Sequence, residues 1–276
     1  MGVVGVGSLG FHHVRLLRDI DGAELVGFFE VRPDRAAEVS AQLGVPALPT
    51  LDVLLDRCDA LTVVVPTTVH HEVARRALER GKHVLVEKPL ASTLGEADDL
   101  LAAARRTGAL VQTGHVERFN RAVRAALPYI DEPRFIESDR LAPFNPRGAD
   151  VAVVLDLMIH DIDLVRSLVG GAVRDLAAVG VGVLTPSIDI ANARLTFESG
   201  PVANITASRV SRERTRKLRI FQRSGYLSLD LAQGTGDFFR LRDDVDRAAL
   251  ARGPQELEAF VERIPLEAAA GEPLRL

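Results

Sequence analysis

The stretch MGVVGVGSLG, residues 1–10, decides the fold of the first part of the chain. MGVVGVG is typical of a short strand, and SLGFHHVRLLRDI (8–20) has the apolar spacing of a helix. Gly5, Gly7 and Gly10 form a G-x-G-x-x-G pattern where the two meet. Gly5 permits a tight turn, Gly7 lets a phosphate approach the backbone, and Gly10 allows the helix to pack closely on the strand. The pattern predicts an anion site at the free N–H groups of the helix N-terminus.

An acidic residue favours a dinucleotide as the bound anion. Glu30 lies near the end of the next apolar segment, AELVGFFEV (23–31), about 20 residues after the glycines. A carboxylate at that place accepts hydrogen bonds from the adenosine ribose of NAD. Arg32 could instead hold the 2′-phosphate of NADP, but the charge of Glu30 opposes that phosphate. The pattern therefore favours NAD over NADP, and the alternative is a glycine turn beside an unrelated surface glutamate.

Strand-like and helix-like segments alternate up to about residue 115. Continuous apolar strands between helices indicate a parallel sheet covered on both faces. The further predicted strands are DALTVVVP (59–66), KHVLVEKP (82–89) and ALVQTG (109–114). The predicted helices are 34–44, 69–81 and 94–107, the last with capping-box spacing at Thr93 and Glu96.

The pattern changes after this point, which predicts two domains, 1–115 and 116–276. A helix over 151–169 and short strands with close turns favour an α+β domain with a mainly antiparallel open sheet. The predicted strands are 134–141, 173–183, 190–199, 201–210 and 217–231, and a last helix is expected over 254–264. The chain begins almost inside its first strand and ends soon after that last helix, so it is either naturally short or a fragment.

Composition excludes several classes of protein. The chain has 276 residues, 47% of them hydrophobic and 26% charged, which is typical of a globular protein with a full core. Its net charge of −4 gives no basic field that would favour nucleic acid. The single cysteine, Cys58, cannot form an internal disulfide. With no signal peptide and no apolar run of about 18 residues, we expect a cytoplasmic protein without a membrane partner.

Two short motifs carry candidate proton-transfer residues. Only three of the 34 basic residues are lysine, and one of them, Lys88, follows an apolar strand, where open α/β sheets bind ligands. Lysine can lose its proton and arginine cannot, so Lys88 is a candidate acid–base group, or else a solvated strand-end lysine. Asp156 and His160 share a helix face, with Asp163 one turn further. The alternatives there are a surface ion pair, a buried structural histidine and, with the least support, a metal site; we expect no metal.

These motifs together resemble the Gfo/Idh/MocA family of sugar and inositol dehydrogenases. The resemblance rests on Gly5–Gly10, Glu87-Lys88-Pro89, Asp156-x-x-x-His160 and Pro66-x-x-x-His70, and it covers nearly the whole chain. The segments GHVERFN (114–120) and 140–170 are most similar to the UDP-N-acetylglucosamine 3-dehydrogenase branch. The family implies an N-terminal Rossmann domain and a C-terminal domain whose open sheet makes homo-oligomer contacts.

The resemblance also implies roles for residues. The implied catalytic residues are Lys88 and His160, with Asp156 holding substrate or orienting His160. The implied cofactor contacts are Gly5, Gly7, Ser8, Leu9, Gly10, Glu30, Arg32, Pro66, Thr67, His70, Glu87, Lys88 and Arg118. The implied substrate contacts are Lys88, Arg118, Asn120, Asp156 and His160. His12 and His13 are expected to be helix residues beside the cofactor.

Three functions remain open from sequence. The first is NAD-dependent oxidation of a secondary sugar hydroxyl, at C3 of a UDP-N-acetylhexosamine. The second keeps this chemistry for a free sugar, an inositol or a sugar acid. The third is a non-catalytic nucleotide-binding regulator, which has no need of Lys88, Asp156 and His160 together. A basic cluster could contact the diphosphate of a nucleotide sugar, or be a solvated edge or an oligomer contact; it comprises Arg209, Arg212, Arg214, Arg216, Lys217 and Arg219.

Overall fold

A computed structural model describes residues 1–145, 151–242 and 260–267 of the chain. These residues divide into two units, Met1–His115 and a second that begins at Val116. Each unit is built on one β-sheet.

The first unit is a five-stranded parallel sheet with helices between successive strands, as predicted. The strands are β1 (Gly2–Val4), β2 (Gly27–Phe29), β3 (Ala60–Val63), β4 (His83–Glu87) and β5 (Val111–Gly114), in the order β2-β1-β3-β4-β5. The helices are α1 (Ser8–Leu17), α2 (Pro33–Leu43), α3 (Leu51–Arg57), α4 (Thr67–Glu79) and α5 (Leu94–Thr107).

Local signals in the sequence set the ends of several helices. The helix α2 ends at Gly44, whose φ of +67° is a left-handed conformation that suits glycine. The predicted capping box of α5 forms, with the amide of Glu96 donating to the Thr93 hydroxyl at 3.2 Å. Sequence reasoning missed α3, although Thr50 caps it by accepting a hydrogen bond from the amide of Val53 at 3.2 Å.

The strand order places the turn at Gly5–Gly10 where the chain stops adding strands on one side of β1 and begins adding them on the other. The chain runs from β1 to β2 on one side and returns to β3 on the other side of β1. Loops after two such strands diverge, which leaves a crevice at their carboxyl ends where doubly wound proteins bind ligands. The glycine turn follows β1 and the Pro66 loop follows β3, so both border this crevice.

The second unit is an eight-stranded, mainly antiparallel sheet, again as predicted. Its order is β13-β12-β11-β10-β6-β9-β8-β7, and β6 with β9 is the parallel pair among the described strands. The strands are β6 (Phe135–Leu141), β7 (Val173–Val181), β8 (Ile190–Phe197), β9 (Val202–Ser208), β10 (Thr215–Gln222), β11 (Gly225–Asp230), β12 (Thr235–Leu241) and β13 (Val261–Pro265). The helices are α6 (Arg121–Ala126) and α7 (Ile159–Val169).

One face of this sheet forms the core and the other is polar. Burial alternates along β6 and β8, which is the period of a strand with one covered face. The core side chains include Ile136, Leu164, Phe197, Ile205 and Ile220, drawn from α7 and four strands. The helices therefore cover a single face, and the opposite face carries charged and amide side chains.

Three predictions about this unit were wrong in detail. The predicted helix over 151–169 is a π-helix over Val154–Met158 followed by α7. The predicted strand over 217–231 is a hairpin, because a two-residue turn between Gln222 and Gly225 folds β11 back onto β10. The predicted helix over 254–264 is contradicted where it is described, since Val261–Pro265 is the strand β13; residues 254–259 lie outside the described ranges.

Cross-strand pairing gives the physical reason for β13. Arg263 donates two hydrogen bonds to Asp237 at 2.8 and 2.9 Å, and Arg240 donates to Glu262 at 2.9 Å. Ile264 packs against the apolar core. These contacts with β12 outweigh the local helical pattern of the segment, since a strand's stability depends on its neighbours. Separately, no helix in the described part of the chain is both long enough and apolar enough to cross a bilayer.

Candidate active site

Two of the three turn glycines are fixed by contact with neighbouring backbone. Gly5 has a φ of +85°, and a Cβ there would lie 2.4 Å from the carbonyl oxygen of Val64. A Cβ on Gly10 would lie 2.0 Å from the carbonyl oxygen of Gly5. Real Cβ atoms do not approach so closely, so neither position accepts a larger residue. The predicted roles of these glycines in the tight turn and in close packing agree with this geometry.

Gly7 is different because the space beside it is open. Its φ of −61° suits any residue, and no atom of the described chain lies within 4 Å of a Cβ built there, apart from near neighbours along the chain. Gly7 is the N-cap of α1, so the amides of the first turn have no partner within the helix. The open side faces a cavity of about 590 Å³ lined by Gly7, Ser8, Phe11, His12, Arg32 and Arg35. A pyrophosphate fits this arrangement of free amides, open space and basic side chains.

The carboxylate of Glu30 is held beside the turn. Its Oε2 accepts the amide of Val6 at 2.9 Å, and its Oε1 accepts the backbone amide and the Nε of Arg32, each at 3.2 Å. Burial raises the pKa of the Glu30 carboxyl, but the hydrogen bonds from Val6 and Arg32 outweigh burial and hold the pKa below its usual value. The group is therefore an anion at neutral pH, and Arg32, which could have received a 2′-phosphate, is engaged by it. This fits the ribose of NAD better than the 2′-phosphate of NADP.

The loop after β3 and the first turn of α4 carry three predicted cofactor contacts, of which two are accessible and one is buried. Pro66 is exposed and Thr67 half-buried, so both are accessible. His70 is 1% exposed, with Nδ1 2.8 Å from the carbonyl oxygen of Pro89 and Nε2 2.9 Å from that of Val65. A neutral imidazole donates to one of these oxygens and a protonated ring donates to both. The ring of His70 thus joins the loop after β3 to the loop after β4, and its predicted contact with the cofactor stays a prediction.

Glu87 is also buried, and its predicted contact with the cofactor stays a prediction. Its Oε1 lies 3.1 Å from the Nε2 of His13, and its Oε2 accepts the backbone amide of Lys88 at 3.3 Å. Gly114 on β5 leaves the room for this carboxylate, since a Cβ there would lie 2.7 Å from Oε1. His13, expected beside the cofactor, is the buried partner of Glu87. Lys88 itself is half-buried at the carboxyl end of β4, the position predicted for it.

In the second unit, Arg118 and Asn120 both make hydrogen bonds within the protein. Arg118 donates to both oxygens of Asp163, through Nε at 2.7 Å and Nη2 at 2.5 Å. Asn120 caps α6 by accepting the amide of Ala122 at 3.0 Å, and its Nδ2 donates to the carbonyl oxygen of Leu231 at 2.9 Å. Asn120 is buried, and its predicted contact with substrate stays a prediction. Arg118 is half-exposed, but its guanidinium is held by a carboxylate of α7.

A buried ionic network that sequence reasoning missed holds this region together. Arg140 donates to both oxygens of Asp161, at 2.6 and 3.1 Å, and reaches Glu117 at 3.4 Å. Burial lowers the pKa of the Arg140 guanidinium, but the carboxylates of Asp161 and Glu117 outweigh burial and raise it. Ser138 donates to Asp161 at 2.9 Å. Ser138 and Arg140 lie two and four positions after Ile136 on β6 and share its buried face, and this period of two could have shown that both face inward.

Asp156 and His160 stand where the π-helix passes into α7. Asp156 lies within the π-helix over Val154–Met158, and His160 is the second residue of α7. Both side chains are half-buried. Short π-helical segments are rare and occur often at functional sites, because the extra residue in the turn redirects side chains. Among the described residues, no three histidine, cysteine, aspartate or glutamate side chains are grouped as a metal site requires.

Comparison with known proteins agrees with this architecture. Residues 1–115 match a family described as "Oxidoreductase family, NAD-binding Rossmann fold", and residues 130–228 match the GFO/IDH/MocA C-terminal domain. UDP-N-acetylglucosamine 3-dehydrogenase from Acidithiobacillus ferrooxidans is 42% identical over 239 residues, which are 85% of this chain and 74% of that one. A solved structure of that enzyme superposes with a TM-score of 0.89 at 37% identity, over 99% of this chain and 84% of the other.

A more distant relative is scyllo-inositol 2-dehydrogenase (NAD(+)) from Bacillus subtilis. It is 30% identical over 228 residues, which are 76% of this chain and 67% of that enzyme. The two domain matches lead to one conclusion together with the first relative, which is 42% identical over 85% of this chain. The chain belongs to the Gfo/Idh/MocA oxidoreductase family, and is an NAD-type dehydrogenase that acts on CH–OH groups.

Proposed function

We propose that the protein oxidises the C3 hydroxyl of a UDP-linked N-acetylhexosamine with NAD as the hydride acceptor. The observation that carries this proposal is the 42% identity to UDP-N-acetylglucosamine 3-dehydrogenase over 85% of the chain. The chain also has Lys88, Asp156 and His160, the proton-transfer residues implied by its motifs. A non-catalytic binder would have no use for all three.

NAD is expected to bind at the first glycine turn. Its pyrophosphate would take the open space at Gly7 and the amides of Ser8 and Leu9, and its adenosine ribose would take Glu30. When bound, NAD accepts the hydride that leaves the carbinol carbon of the sugar. Pro66 and Thr67, where the loop after β3 enters α4, are accessible and complete the proposed cofactor contacts.

Lys88 and His160 are proposed as the proton-transfer pair. Loss of hydride from a secondary alcohol requires a base for the hydroxyl proton, and an amine or an imidazole can take it at neutral pH. Asp156 is proposed to hold a substrate hydroxyl or to orient His160. We retain Arg118 as a proposed contact for cofactor or substrate through its exposed edge, with Asp163 fixing its position.

The first unit holds the backbone of Lys88 from both sides. The amide of Lys88 donates to Glu87, which is anchored by His13 on α1. On the other side, the carbonyl oxygen of Pro89 lies against the ring of His70 on α4. A side chain transfers a proton efficiently only when its position relative to the substrate is fixed, since misplacement by about 1 Å can lower the rate 10²-fold. His13, Glu87 and His70 are thus proposed as positioning residues.

A substrate panel tests the proposal. The purified chain and NAD are incubated with UDP-N-acetylglucosamine, UDP-N-acetylgalactosamine, N-acetylglucosamine and myo-inositol, and NADH formation is followed by absorbance. We expect turnover with a UDP-linked substrate, and NMR of the product should show a ketone at C3. Turnover confined to the free sugar or to inositol would refute the UDP-sugar assignment and leave the dehydrogenase in place.

The second candidate is oxidation of a free inositol or sugar. Relatives that act on inositols, such as the Bacillus subtilis enzyme and a myo-inositol 2-dehydrogenase from Thermotoga maritima, share 30% and 29% identity with this chain. These values are lower than the 42% of the UDP-sugar enzyme, so we rank this candidate second.

We also propose that the chain forms a homo-oligomer through the sheet of its second unit. The edge strand β7 exposes Leu176, Val179 and Val181, each more than half accessible. Exposed apolar edge strands invite pairing and are normally covered in the native assembly. Light scattering of the purified protein should give a multiple of the mass of one chain. A single-chain mass that persists as concentration is raised would contradict the proposal.

A further inference from the structure

The basic cluster of the second unit is divided by the sheet into parts with different surroundings. Arg209 is buried and donates to the carbonyl oxygen of Val151, so it serves the fold. Lys217 and Arg219 lie on the open face of β10, opposite Asp139 and Glu137 of β6. Arg216 lies on the other face, the one covered by the helices, because side chains alternate along a strand.

Arg216 stands at the outer end of the buried ionic network. It lies beside Arg140 across the β10–β6 pair, and its Nη1 is 3.6 Å from the Oε1 of Glu117. Glu117 in turn contacts Arg140, which is bound to Asp161, the residue after His160. The network thus runs along the second unit from Arg216 to the turn of α7 that carries the proposed catalytic histidine.

The guanidinium of Arg216 has most of its hydrogen-bonding capacity unused. It offers five N–H donors, yet within residues 1–145, 151–242 and 260–267 it donates no hydrogen bond, and its ion pair with Glu117 is long. Its side chain is 37% exposed, so a ligand can reach it. By contrast, Arg140 and Arg118 each bind a carboxylate with two hydrogen bonds.

Charges of both signs act on Arg216. Arg140 and Arg214 repel its guanidinium, and Glu117 and Asp161 attract it. Burial, and then the nearby charge of Arg140, lowers the pKa of the Arg216 guanidinium from its usual value. An anion bound there would relieve the repulsion between these arginines and would accept the unused donors.

We propose that Arg216 binds the diphosphate of the nucleotide-sugar substrate and so selects UDP-linked sugars over neutral ones. This inference rests on the proposed function and names one residue that gives it specificity. Planar guanidinium groups suit phosphate oxygens, because two parallel N–H groups can donate to one phosphate. Of the three sequence interpretations of the basic cluster, the diphosphate contact is thus assigned to the helix-covered face, and the solvated edge or oligomer contact to the open face.

The test compares two arginines of the same strand that face opposite ways. Binding of UDP and of uridine is measured by calorimetry for the wild-type chain, Arg216→Gln and the matched control Arg219→Gln. We expect Arg216→Gln to weaken UDP binding by about 10- to 100-fold, the range for loss of a hydrogen bond to a charged group. Uridine has no phosphate, so its affinity should not change, and Arg219→Gln should bind both ligands as the wild type does.

Further arms separate the possible failures. Arg216→Lys, which keeps the charge, should recover part of the UDP affinity, and thermal melting shows whether each variant is folded. UDP binding by Arg216→Gln equal to that of the wild type would overturn the inference, as would equal losses in the two glutamine variants. If one of these two results is found while the wild-type chain binds UDP and oxidises UDP-N-acetylglucosamine, the role of Arg216 is refuted and the proposed function stands. Absence of UDP binding and of turnover in the wild type would overturn the inference and the proposed function together.

Discussion

Replacement of Lys88 by arginine should leave NADH binding intact and lower kcat by about 10²- to 10⁴-fold, the usual contribution of a general acid–base group. Arginine keeps the positive charge and a similar length, but it stays protonated at any pH at which the protein is folded. It therefore cannot take the hydroxyl proton. Steady-state turnover and NADH binding by fluorescence measure the two effects separately, and the chain has no tryptophan to interfere.

Lys82 provides the matched control for this experiment. It lies just before β4, at the opposite end of the strand from Lys88, and Lys82→Arg makes the same chemical change there. We expect the control to turn over at the wild-type rate. Wild-type kcat in Lys88→Arg would remove Lys88 from the mechanism. A loss of NADH affinity as large as the loss of kcat would instead assign it to cofactor binding.

The sequence was sufficient for the architecture of the first unit because its signals are local. Apolar strands, the turn at Gly5 and Gly10, the Gly44 stop and the Thr93 capping box each act within a few residues of the chain. All of them appear in the structure as expected. The parallel sheet follows from this alternation, since each strand must be joined to the next by a helix.

The buried polar contacts were beyond the reach of sequence because their partners are far apart in the chain. His13 and Glu87 are 74 positions apart, and His70 and Pro89 are 19 apart. A motif such as Glu87-Lys88-Pro89 shows that a glutamate is present, but not that it faces inward. The resemblance implied contacts with the cofactor for Glu87 and His70, and the structure adds that both side chains hold the loops that carry Lys88 and Pro66.

The second unit shows the same limit for secondary structure. The segment Val261–Pro265 has a helix-like sequence context and still forms β13, because β12 offers opposite charges and an apolar neighbour. The π-helix at Asp156 has no signature in the sequence, since Met158, Ile162 and Val165 recur at a spacing that an α-helix would also show.

The second large effect is expected at Gly7. Replacement of Gly7 by alanine should weaken NADH binding by about 10- to 100-fold, which corresponds to the ~1–3 kcal/mol cost of forcing a methyl group into an occupied space. Within the described part of the chain the methyl group meets no atom within 4 Å apart from near neighbours in sequence, and the φ of −61° suits alanine. The melting temperature should therefore be unchanged, and the loss should appear only when the pyrophosphate is bound. Fluorescence titration with NADH and thermal melting measure the two quantities.

Two other glycines complete the design. Gly95→Ala makes the same change in the first turn of α5, where the described residues also leave space, so it should not alter NADH binding and should not lower the melting temperature. Gly10→Ala would place a Cβ 2.0 Å from the carbonyl oxygen of Gly5, so it should lower the melting temperature as well as the affinity. Unchanged NADH affinity in Gly7→Ala would mean that the cofactor does not approach this turn. In that case the dinucleotide would bind elsewhere in the chain, and the proposed contact of Glu30 with its ribose would be refuted.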